Sequence, residues 1–453
     1  MSEAWIDRLE LALGGPVVRD RDILAGFVRD QAALAPAGFP AALVRARSIA
    51  DVVATLRFAN AARIPVVTRA AGTGLAGGAN AIDGGIVLSV AGMDRILAID
   101  PIGRTAEVEP GVLNARLAAA AAELGLFYAP DPASREISTI GGNIATNAGG
   151  ACCLKYGVTG DHVLSLAAVL ADGTPIRVGS NTGKDVSGLD LKRLLVGSEG
   201  TLAVIVGATL RLLRAPLPAS TLVAFFSSLR DAAEAIVAME AQAQLSLIEV
   251  MDQTTLRAVE ALAGMQLDTD AAAMVLVQSD ASDAATVVAA CESICVAHRA
   301  RDVVCSDDPD EGKQLLAARR MALPALERLG TTLLDDVAVP KPRLAEMFEL
   351  AAATAARHGL VIGTFGHAGD GNLHPTLVFD GRDPASVEAA HAAFDELLRG
   401  AVALGGTITG EHGVGTLKHR HVGLMIGEAE RALMRRIKLA FDPEGILNPG
   451  KKF

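Results

Sequence analysis

Two glycine-dense segments in the N-terminal half constrain the fold of this chain more than any other feature. They run from Ala71 to Gly78 (AGTGLAGG) and from Ile140 to Gly150 (IGGNIATNAGG), and strand-like sequence precedes each. Because glycine has no Cβ, backbone N–H groups in such segments can approach and surround a phosphate. Neither has the spacing of a Rossmann GxGxxG motif or a Walker loop. One alone would be an ordinary tight turn as readily as a binding loop, but two in one domain favour a pyrophosphate, and hence a dinucleotide.

The length and hydropathy of the chain indicate a protein of at least two domains without a membrane span. It has 453 residues, too many for one ordinary core at about 150 residues per domain. Hydrophobic residues make up 51%, but much of this is alanine in charged helices, and no stretch has the ~18 to 20 uninterrupted apolar residues of a span. The N-terminus lacks the pattern of a secretory signal. We therefore expect a cytoplasmic protein, with peripheral attachment to the inner membrane as the alternative.

The charge balance and the cysteine pattern argue against several function classes. The 41 basic and 52 acidic side chains give a net charge of −11, and the absence of a basic run argues against nucleic acid as a partner. The five cysteines are Cys152, Cys153, Cys291, Cys295 and Cys305, with no CxxC spacing. Structural disulfides, a zinc knuckle and a cysteine-ligated iron–sulfur cluster are disfavoured, so these residues are most simply small buried hydrophobes.

The order of strand-like and helical sequence predicts two mixed domains. Short Val/Ile/Leu strands alternate with helices from about residue 41 to 215, and Pro216 and Pro218 then interrupt the chain. The pattern beyond predicts strands at 221–226, 245–250, from 274, at 331–334, 361–365 and 373–379, and helices at 229–242, through Cys291 and Cys295, before Pro324 and at 428–441. The strands at 361–365 and 373–379 should form a hairpin, because the glycines between them can supply the φ > 0 residues of a tight reversal.

The strongest chemical signal is GHAGDGNLH, from Gly366 to His374. His367 and His374 flank the predicted reversal, so both imidazoles can face one point from adjacent strands. Glu411 and His412 follow in TGEHGVG. Two histidines and a glutamate suit a divalent metal that keeps open positions for substrate, and the remaining histidine can move a proton. One such histidine alone would be better explained as a core or surface residue, whereas the set favours function.

Five ordered motifs give the chain a family resemblance. They are RAAGTGLAGG at 69–78, APDPAS at 129–134, IGGNIATNAGG at 140–150, LKYGVTGDH at 154–162 and VGSEGTL at 196–202. Together they resemble the PCMH-type FAD-binding domain of the vanillyl-alcohol oxidase superfamily, in particular the FAD-linked D-lactate dehydrogenase and glycolate oxidase FAD-subunit group. The resemblance continues in the C-terminal half and covers nearly the whole chain.

The resemblance implies an α+β fold in three parts. Residues 1–215 (core 39–214) would form a two-part PCMH-type FAD-binding domain. Residues 216–425 would form an α+β, ferredoxin-like substrate or cap domain with the metal site. Residues 426–453 would return to the FAD domain and complete it.

The resemblance also implies how FAD is held. Some superfamily members attach FAD covalently through a histidine of the first loop, but Thr73 occupies that position here, so noncovalent FAD is implied. Near the C-terminus, Asn448 and Lys451 match flavin contacts, with a plain turn as the alternative; a cation there would stabilise reduced, anionic flavin. The implied FAD contacts are Arg69, Gly72, Thr73, Gly74, Leu75, Gly77, Gly78, Pro130, Asp131, Ser138, Thr139, Gly141, Gly142, Asn143, Thr146, Asn147, Gly149, Gly150, Tyr156, Gly157, Glu199, Gly200, Val204, Ile205, Asn448 and Lys451.

In the family, residues that match His367, His374 and Glu411 bind the metal, and the match of His412 is the catalytic base. Zinc and manganese are the favoured metals and iron is a further candidate, because this donor set suits all three. Asp370 and Asn372 would orient the histidines, although turn chemistry explains an Asp-Gly-Asn sequence equally well.

Substrate contacts are implied at Arg319, Asn372 and Thr376. A guanidinium gives bidentate recognition of a carboxylate, and Arg320 is the rival to Arg319. Where the family usually carries a tryptophan before this arginine, the chain has Ala317. Dicarboxylate-oxidising relatives carry threonine and lysine where this chain has Leu323 and Leu334, which favours a small or apolar monocarboxylate such as D-lactate or glycolate.

The implied activity is that of an FAD- and divalent-metal-dependent D-2-hydroxyacid dehydrogenase. The metal would ease alkoxide formation, His412 would take the hydroxyl proton, and hydride would pass from Cα to flavin N5. The enzyme alternatives are an oxidase that uses oxygen, a glycolate oxidase FAD subunit in a multi-subunit complex, and a D-2-hydroxyglutarate dehydrogenase. A non-catalytic FAD-binding subunit should lack the two histidine motifs, and the glycine segments disfavour a metal hydrolase.

Two further questions stay open in the sequence. No sequence motif identifies the electron acceptor, which could be a quinone, an electron-transfer flavoprotein, a cytochrome or a partner subunit. No motif identifies the oligomeric state either, and a homodimer is the candidate assembly.

Overall fold

The computed structural model describes residues 4–452, which divide into two compact units. Among these residues, the first unit comprises the chain up to Gly149, Gly157–Ala215 and the chain from Glu411 onward. The second comprises Gly150–Tyr156 and Pro216–Gly410. Within residues 4–452, no helix combines the length and apolar character needed to cross a bilayer.

The helices are α1 (Ala4–Leu13), α2 (Arg21–Ala25), α3 (Ile49–Ala62), α4 (Asn114–Ala122), α5 (Ile140–Thr146), α6 (Cys153–Tyr156), α7 (Thr159–His162), α8 (Leu191–Leu195), α9 (Leu229–Gln242), α10 (Gln253–Ala263), α11 (Ala284–Ala297), α12 (Pro309–Arg320), α13 (Ala322–Glu327), α14 (Leu344–His358), α15 (Pro384–Ala403) and α16 (Glu428–Phe441). Short 3-10 helices cover Lys341–Arg343, Ala368–Asp370 and His419–Leu424.

The strands are β1 (Ala42–Arg45), β2 (Val66–Arg69), β3 (Ile86–Ser89), β4 (Ile96–Asp100), β5 (Thr105–Val108), β6 (Leu126–Phe127), β7 (Val163–Val169), β8 (Pro175–Gly179), β9 (Val204–Arg211), β10 (Leu213–Arg214), β11 (Ser220–Phe226), β12 (Leu247–Asp252), β13 (Ala273–Ser279), β14 (Ala300–Ser306), β15 (Thr331–Leu334), β16 (Val337–Ala338), β17 (Val361–His367) and β18 (Asn372–Phe379).

The first unit is built on two main sheets. One is parallel, in the order β1-β3-β2, and the other is antiparallel, in the order β4-β5-β9-β7-β8, while β6 and β10 form a small pair. Helix α3 begins after Ser48, whose side chain accepts a hydrogen bond from Asp51 N while the Asp51 carboxylate accepts one from Ser48 N, a reciprocal cap. One core lies between the parallel sheet and α1 and α3. A second lies between the antiparallel sheet and α4 and α5.

The sequence suggested that the second glycine segment is a loop, but part of this segment is helical. Residues Ile140–Thr146 form α5, because the Thr139 side chain accepts a hydrogen bond from Gly142 N at 3.4 Å and so caps the helix. A Cβ at Gly141 would lie 2.6 Å from Pro110 Cβ. At that position glycine allows close packing of the helix rather than an open loop.

The return of the chain to the first unit comes at Glu411, whereas the sequence placed this boundary at residue 426. The physical reason is Glu199, whose carboxylate accepts hydrogen bonds from Val414 N at 2.8 Å and Gly415 N at 2.7 Å. These bonds make residues Glu411 to Gly415 part of the first unit.

The second unit contains one antiparallel sheet of eight strands. Its first four strands have the order β14-β11-β13-β12, and it continues through β17, β18 and β15, with β16 also paired to β18. Numbered within the unit, the first four run 4-1-3-2, with α9 and α11 as the connections of a ferredoxin-like arrangement. The predicted hairpin is confirmed as β17 and β18. The bounds of α9, β15 and α16 coincide with the predicted ranges.

Candidate functional site

Buried polar atoms around the glycine segments of the first unit lack hydrogen-bond partners within the protein. Among residues 4–452 these atoms include Ser138 Oγ, Asn143 Nδ2 and Asn448 Oδ1, and all three side chains are buried. An unsatisfied buried polar atom costs about 1–3 kcal/mol. A polar ligand that reaches these atoms would remove this cost, and the many donors and acceptors of FAD fit the requirement.

The first glycine segment packs tightly against its neighbours. Gly72 has φ = +73°, so its backbone conformation favours glycine, and a Cβ there would lie 2.2 Å from Nη2 of Arg69 and would displace the guanidinium. Arg69 is buried, its Nη1 is 3.4 Å from Ala79 O, and its guanidinium carbon is 5.7 Å from the Phe27 ring centroid. Burial lowers the pKa of Arg69, against the opposing charge of Asp30.

The C-terminal residues Asn448 and Lys451 reach the end of this segment. Asn448 Nδ2 donates to Gly78 O at 3.0 Å and to Glu199 O at 2.6 Å. Lys451 Nζ donates to Gly78 O at 3.0 Å and also to Asn80 O. Burial lowers the pKa of Lys451 to about 7, although Asp30 and Glu199 favour its charged form. The two residues predicted as flavin contacts therefore lie together beside a predicted phosphate loop.

Several other predicted FAD contacts make hydrogen bonds within the first unit. Thr146 Oγ1 donates to Gly142 O at 3.2 Å, and Asn147 ends α5 in the left-handed region and accepts a hydrogen bond from Gly160 N at 2.8 Å. The Glu199 carboxylate is used by the Val414 and Gly415 N–H groups. Remaining members lie in the same segments: Thr73, Gly74, Leu75 and Gly77 in the first loop, Pro130 and Asp131 before α5, Gly157 before α7, Gly200 after Glu199, and Val204 and Ile205 at the start of β9.

Two predicted FAD contacts belong to the second unit. Gly150 and Tyr156 lie in the segment Gly150–Tyr156. The Tyr156 hydroxyl donates to the buried Asp280 carboxylate, which Lys155 also contacts. These interactions hold the segment in the second unit.

Glu411 and His412 lie on the loop that Glu199 holds in the first unit. His412 Nε2 is 3.6 Å from Glu411 Oε1, and both side chains are partly buried. The Glu411 side chain occupies the space beside Gly149, since a Cβ at Gly149 would lie 2.3 Å from Glu411 Oε2.

The second unit brings His367 and His374 together at the β17–β18 reversal, with their ring centroids 5.3 Å apart. The reversal depends on Gly371, which has φ = +75° and a Cβ position only 2.2 Å from Val339 O. Any larger residue there would be strained in its backbone and would collide with a carbonyl. The hairpin therefore positions the two imidazoles as the sequence predicted.

A buried glutamate that the sequence interpretation did not single out lies behind His367. Glu249 Oε1 is 2.7 Å from His367 Nδ1, and Glu249 Oε2 is 2.9 Å from Arg319 Nε. Burial would raise the pKa of Glu249, but the contacts of its two oxygens with His367 and Arg319 outweigh burial, and the pKa is lowered. The one available signal was an acidic residue inside an apolar strand, LIEVM.

A second buried acid, Asp336, organises the residues around His374. Its Oδ1 is 3.7 Å from His374 Nδ1 and accepts a hydrogen bond from Asn372 Nδ2 at 2.8 Å. Its Oδ2 accepts from Thr409 Oγ1 at 2.7 Å and Gly410 N at 2.9 Å. Asn372, predicted as a substrate contact with a supporting role as the alternative, uses its amide in this network.

The remaining predicted substrate contacts, Arg319 and Thr376, are both buried. Arg319 is buried, and its guanidinium carbon is 4.7 Å from the Phe365 ring centroid, whereas Arg320 is exposed. Thr376 is fully buried, and its hydroxyl donates to His374 O at 3.2 Å.

The cysteines are all free thiols. Cys291 and Cys295 are buried, Cys152 and Cys153 are partly buried, and Cys305 is exposed. The prediction of small buried hydrophobes therefore fits two of the five.

Comparisons with known proteins match both halves of the chain. The family described as "FAD binding domain" matches residues 40–179, and "FAD linked oxidases, C-terminal domain" matches residues 216–452. The chain is 42% identical over 418 residues to the glycolate oxidase subunit GlcD of Bacillus subtilis, covering 91% of this chain and 89% of that protein. It is 39% identical over 411 residues to D-lactate dehydrogenase of Archaeoglobus fulgidus, covering 90% of each.

Solved structures agree with the predicted fold. A structure of p-cresol methylhydroxylase with substrate bound has a TM-score of 0.83 at 17% identity and covers 99% of this chain and 96% of that chain. The 4-ethylphenol oxidase from Gulosibacter chungangensis has a TM-score of 0.80 at 20% identity, with coverage of 99% and 96%. The predicted PCMH-type, α+β fold class is confirmed. Since both halves match in order and the relatives align over most of their length, the chain belongs to the FAD-linked oxidases, in the group of glycolate oxidase subunits and D-lactate dehydrogenases, and is an FAD-dependent oxidoreductase.

Proposed function

We propose that this protein is an FAD- and divalent-metal-dependent dehydrogenase of D-2-hydroxy acids, with D-lactate or glycolate as substrate. The observation that carries the proposal is the pair His367 and His374, whose rings lie 5.3 Å apart with a buried carboxylate near each. The activities for which the two relatives are named, glycolate oxidase and D-lactate dehydrogenase, support the substrate class.

FAD would be held noncovalently in the first unit. The unpartnered Ser138, Asn143 and Asn448 atoms and the backbone of the first glycine segment would bind it. Thr73, at the position where some relatives carry a histidine tether, has no side chain suited to flavin attachment. When bound, the flavin supplies a hydride acceptor for the substrate Cα.

The donor set suits a divalent metal. His367 and His374 would bind it through imidazole nitrogens, with Glu411 as the carboxylate ligand and zinc or manganese as the favoured ions. A metal supplies Lewis acidity toward the substrate hydroxyl and carboxylate oxygens. Glu249 would fix the His367 tautomer, because an ionised carboxylate only accepts and Nδ1 must donate to it.

The remaining roles fall to His412 and Arg319. His412 would accept the hydroxyl proton, since a neutral imidazole is a base suited to neutral pH. Arg319 would bind the substrate carboxylate, and its permanent charge in a buried setting favours an anionic partner. Leu323 and Leu334 supply no charge for a second carboxylate, which favours a monocarboxylate over 2-hydroxyglutarate.

A second candidate is a catalytic FAD subunit of a glycolate-oxidising complex. The relative from Bacillus subtilis is itself described as a subunit, which favours this candidate. The same site chemistry would then operate with a partner subunit as electron acceptor.

Anaerobic flavin reduction tests the proposal. D-Lactate or glycolate should bleach the visible flavin absorbance of the purified holoprotein, and L-lactate should act far more slowly. A His412→Gln variant should retain its flavin but be reduced about 10²- to 10⁴-fold more slowly, because proton removal by a positioned base contributes that factor. The exposed His419 gives a matched control, His419→Gln, which should match wild type.

Each other outcome has a defined meaning. Bleaching by D-2-hydroxyglutarate alone would assign the protein to that dehydrogenase instead. Absence of bleaching with every 2-hydroxy acid would overturn the proposed activity. Turnover that requires an added partner subunit would favour the second candidate.

A further inference from the structure

Glu249 occupies an unusual position for a carboxylate. It lies in the middle of β12, between strands β13 and β17 of the sheet, and its side chain is 2% exposed. In the β12–β17 ladder, Glu249 is the direct partner of His367. Directly opposed residues of an antiparallel pair have side chains on the same face, so the strand pairing itself sets this contact.

The two oxygens of Glu249 serve two different side chains. Oε1 lies 2.7 Å from His367 Nδ1, and Oε2 lies 2.9 Å from Arg319 Nε. A buried carboxylate is costly unless it is paired and hydrogen-bonded. The two contacts offset this cost, and neither is an exposed surface pair of small energetic value.

The contact with His367 determines which ring nitrogen can bind a metal. An ionised carboxylate has no hydrogen to give, so Nδ1 carries the proton and the lone pair is on Nε2. A carboxylate behind a histidine ligand also makes the imidazole more basic and holds the ring in one orientation. His374 differs, because its neighbour Asp336 is 3.7 Å away and accepts hydrogen bonds from Asn372, Thr409 and Gly410.

The contact with Arg319 orients a second functional group. The guanidinium is planar and rigid, so its direction follows once Nε lies against Glu249 and one face lies against Phe365, 4.7 Å from the ring centroid. A side chain with several rotatable bonds is thereby held in one direction before substrate arrives. Such preorganisation lowers the entropic cost of binding.

We propose that Glu249 is a positioning residue that couples the metal site to the substrate-carboxylate site. One oxygen holds His367 in the metal-binding tautomer and the other directs Arg319. This inference rests on the proposed function, because it assigns Glu249 a purpose in the same hydroxy acid site.

Metal affinity and steady-state kinetics of the FAD-loaded full-length protein test the role. Zn²⁺ is titrated into metal-depleted wild type, Glu249→Gln, His367→Ala and the double variant. Glu249→Gln should weaken Zn²⁺ binding about 10- to 100-fold, the usual effect of losing a carboxylate behind a histidine ligand. It should also raise KM for the hydroxy acid, because the neutral glutamine amide no longer forms an ion pair with the Arg319 guanidinium.

The double variant separates positioning from general damage. If Glu249 acts on the metal through His367, adding Glu249→Gln to His367→Ala should cause no further loss of Zn²⁺ affinity. Additive losses would overturn the inference, as would a folded Glu249→Gln variant with wild-type Zn²⁺ affinity. Glu240→Gln is the matched control, since Glu240 pairs with Lys341 at 2.5 Å elsewhere in the same unit, and it should match wild type.

Three outcomes complete the test. If Glu249→Gln does not fold, the charge-conserving Glu249→Asp should still bind Zn²⁺ more weakly than wild type, and equal affinity would overturn the inference. Wild type that binds no divalent metal would overturn the proposed function and this inference with it. Wild type that binds metal while Glu249→Gln matches it would overturn only the inference.

Discussion

Lys451 illustrates at the scale of one residue how burial changes side-chain chemistry. Its ammonium donates to the Gly78 and Asn80 carbonyls, and burial lowers its pKa to about 7 from the ordinary 10.5. Near neutral pH the folded protein without FAD therefore contains a mixture of charged and neutral Lys451. A phosphate or reduced flavin nearby would favour the charged form.

The affinity for FAD should consequently depend on pH. As the pH rises through about 7, Lys451 loses its proton, and an anionic ligand that needs the ammonium binds less tightly, by up to about tenfold per pH unit. We expect the Kd of wild type for FAD to increase between pH 7 and pH 9, and the Kd of Lys451→Met to change less. Fluorescence titration of the protein without FAD measures both constants.

The exposed Lys184 provides the control for this prediction. Lys184→Met removes the same charge from an exposed position and should follow the wild-type pH profile. A wild-type Kd that is constant from pH 6 to pH 9 would contradict a role for the Lys451 charge.

At the scale of elements, the loop that carries Glu411 and His412 owes its conformation to a residue far away in sequence. Glu199 has φ = +54°, and its two carboxylate oxygens accept hydrogen bonds from Val414 N and Gly415 N. Sequence interpretation assigned Glu199 to FAD because it lies in the motif VGSEGTL. Its partners were invisible there, since they lie more than 200 residues later in the chain.

Glu199→Ala should destabilise the protein and loosen this loop. Two buried N–H groups would lose their acceptors, at about 1–3 kcal/mol each, and Glu199→Gln should be milder because one acceptor oxygen remains. Denaturant unfolding measures the stability loss, and hydrogen exchange should report reduced protection of the Val414 and Gly415 amides. Glu136→Ala, at an exposed position, should leave both unchanged, and wild-type protection in Glu199→Ala would refute the assignment.

At the scale of the whole molecule, the residues that fit FAD lie in the first unit and the histidine pair lies in the second. The chain passes from the first unit to the second between Ala215 and Pro216. The sequence did not predict that Gly150–Tyr156 belongs to the second unit. It depends on the contacts of Lys155 and Tyr156 with Asp280, which is distant in sequence.

FAD should stabilise the protein by mass action. A ligand that binds only the folded state adds about 2.7 kcal/mol at 100 times its Kd, so calorimetry should find a higher unfolding temperature for the first unit with FAD than without. Because we propose noncovalent binding, acid-denatured protein should release its flavin completely, and the protein without FAD should rebind it. Flavin that stays with the denatured chain would contradict noncovalent binding.

The local elements were largely predictable, whereas the supports of the candidate site were not. The bounds of α9, β15 and α16 follow from local apolar periodicity, and the β17–β18 hairpin follows from glycines in a short reversal. Glu249 and Asp336 belong to no local pattern of this kind. An acidic residue in or beside an apolar strand does not reveal its partner in the sequence, and only the fold brings these two close to His367 and His374. Strand order and long-range pairing decide those contacts.

The sequence by itself determined the glycine segments, the histidine and glutamate motifs and the family, because these depend on residue types at short spacing. Only the tertiary structure decided that Glu249 contacts both His367 and Arg319, that Glu199 holds the Glu411–His412 loop, and that burial lowers the pKa of Lys451. Each of these results from bringing distant charged groups together out of water, where their mutual contacts set their protonation and orientation.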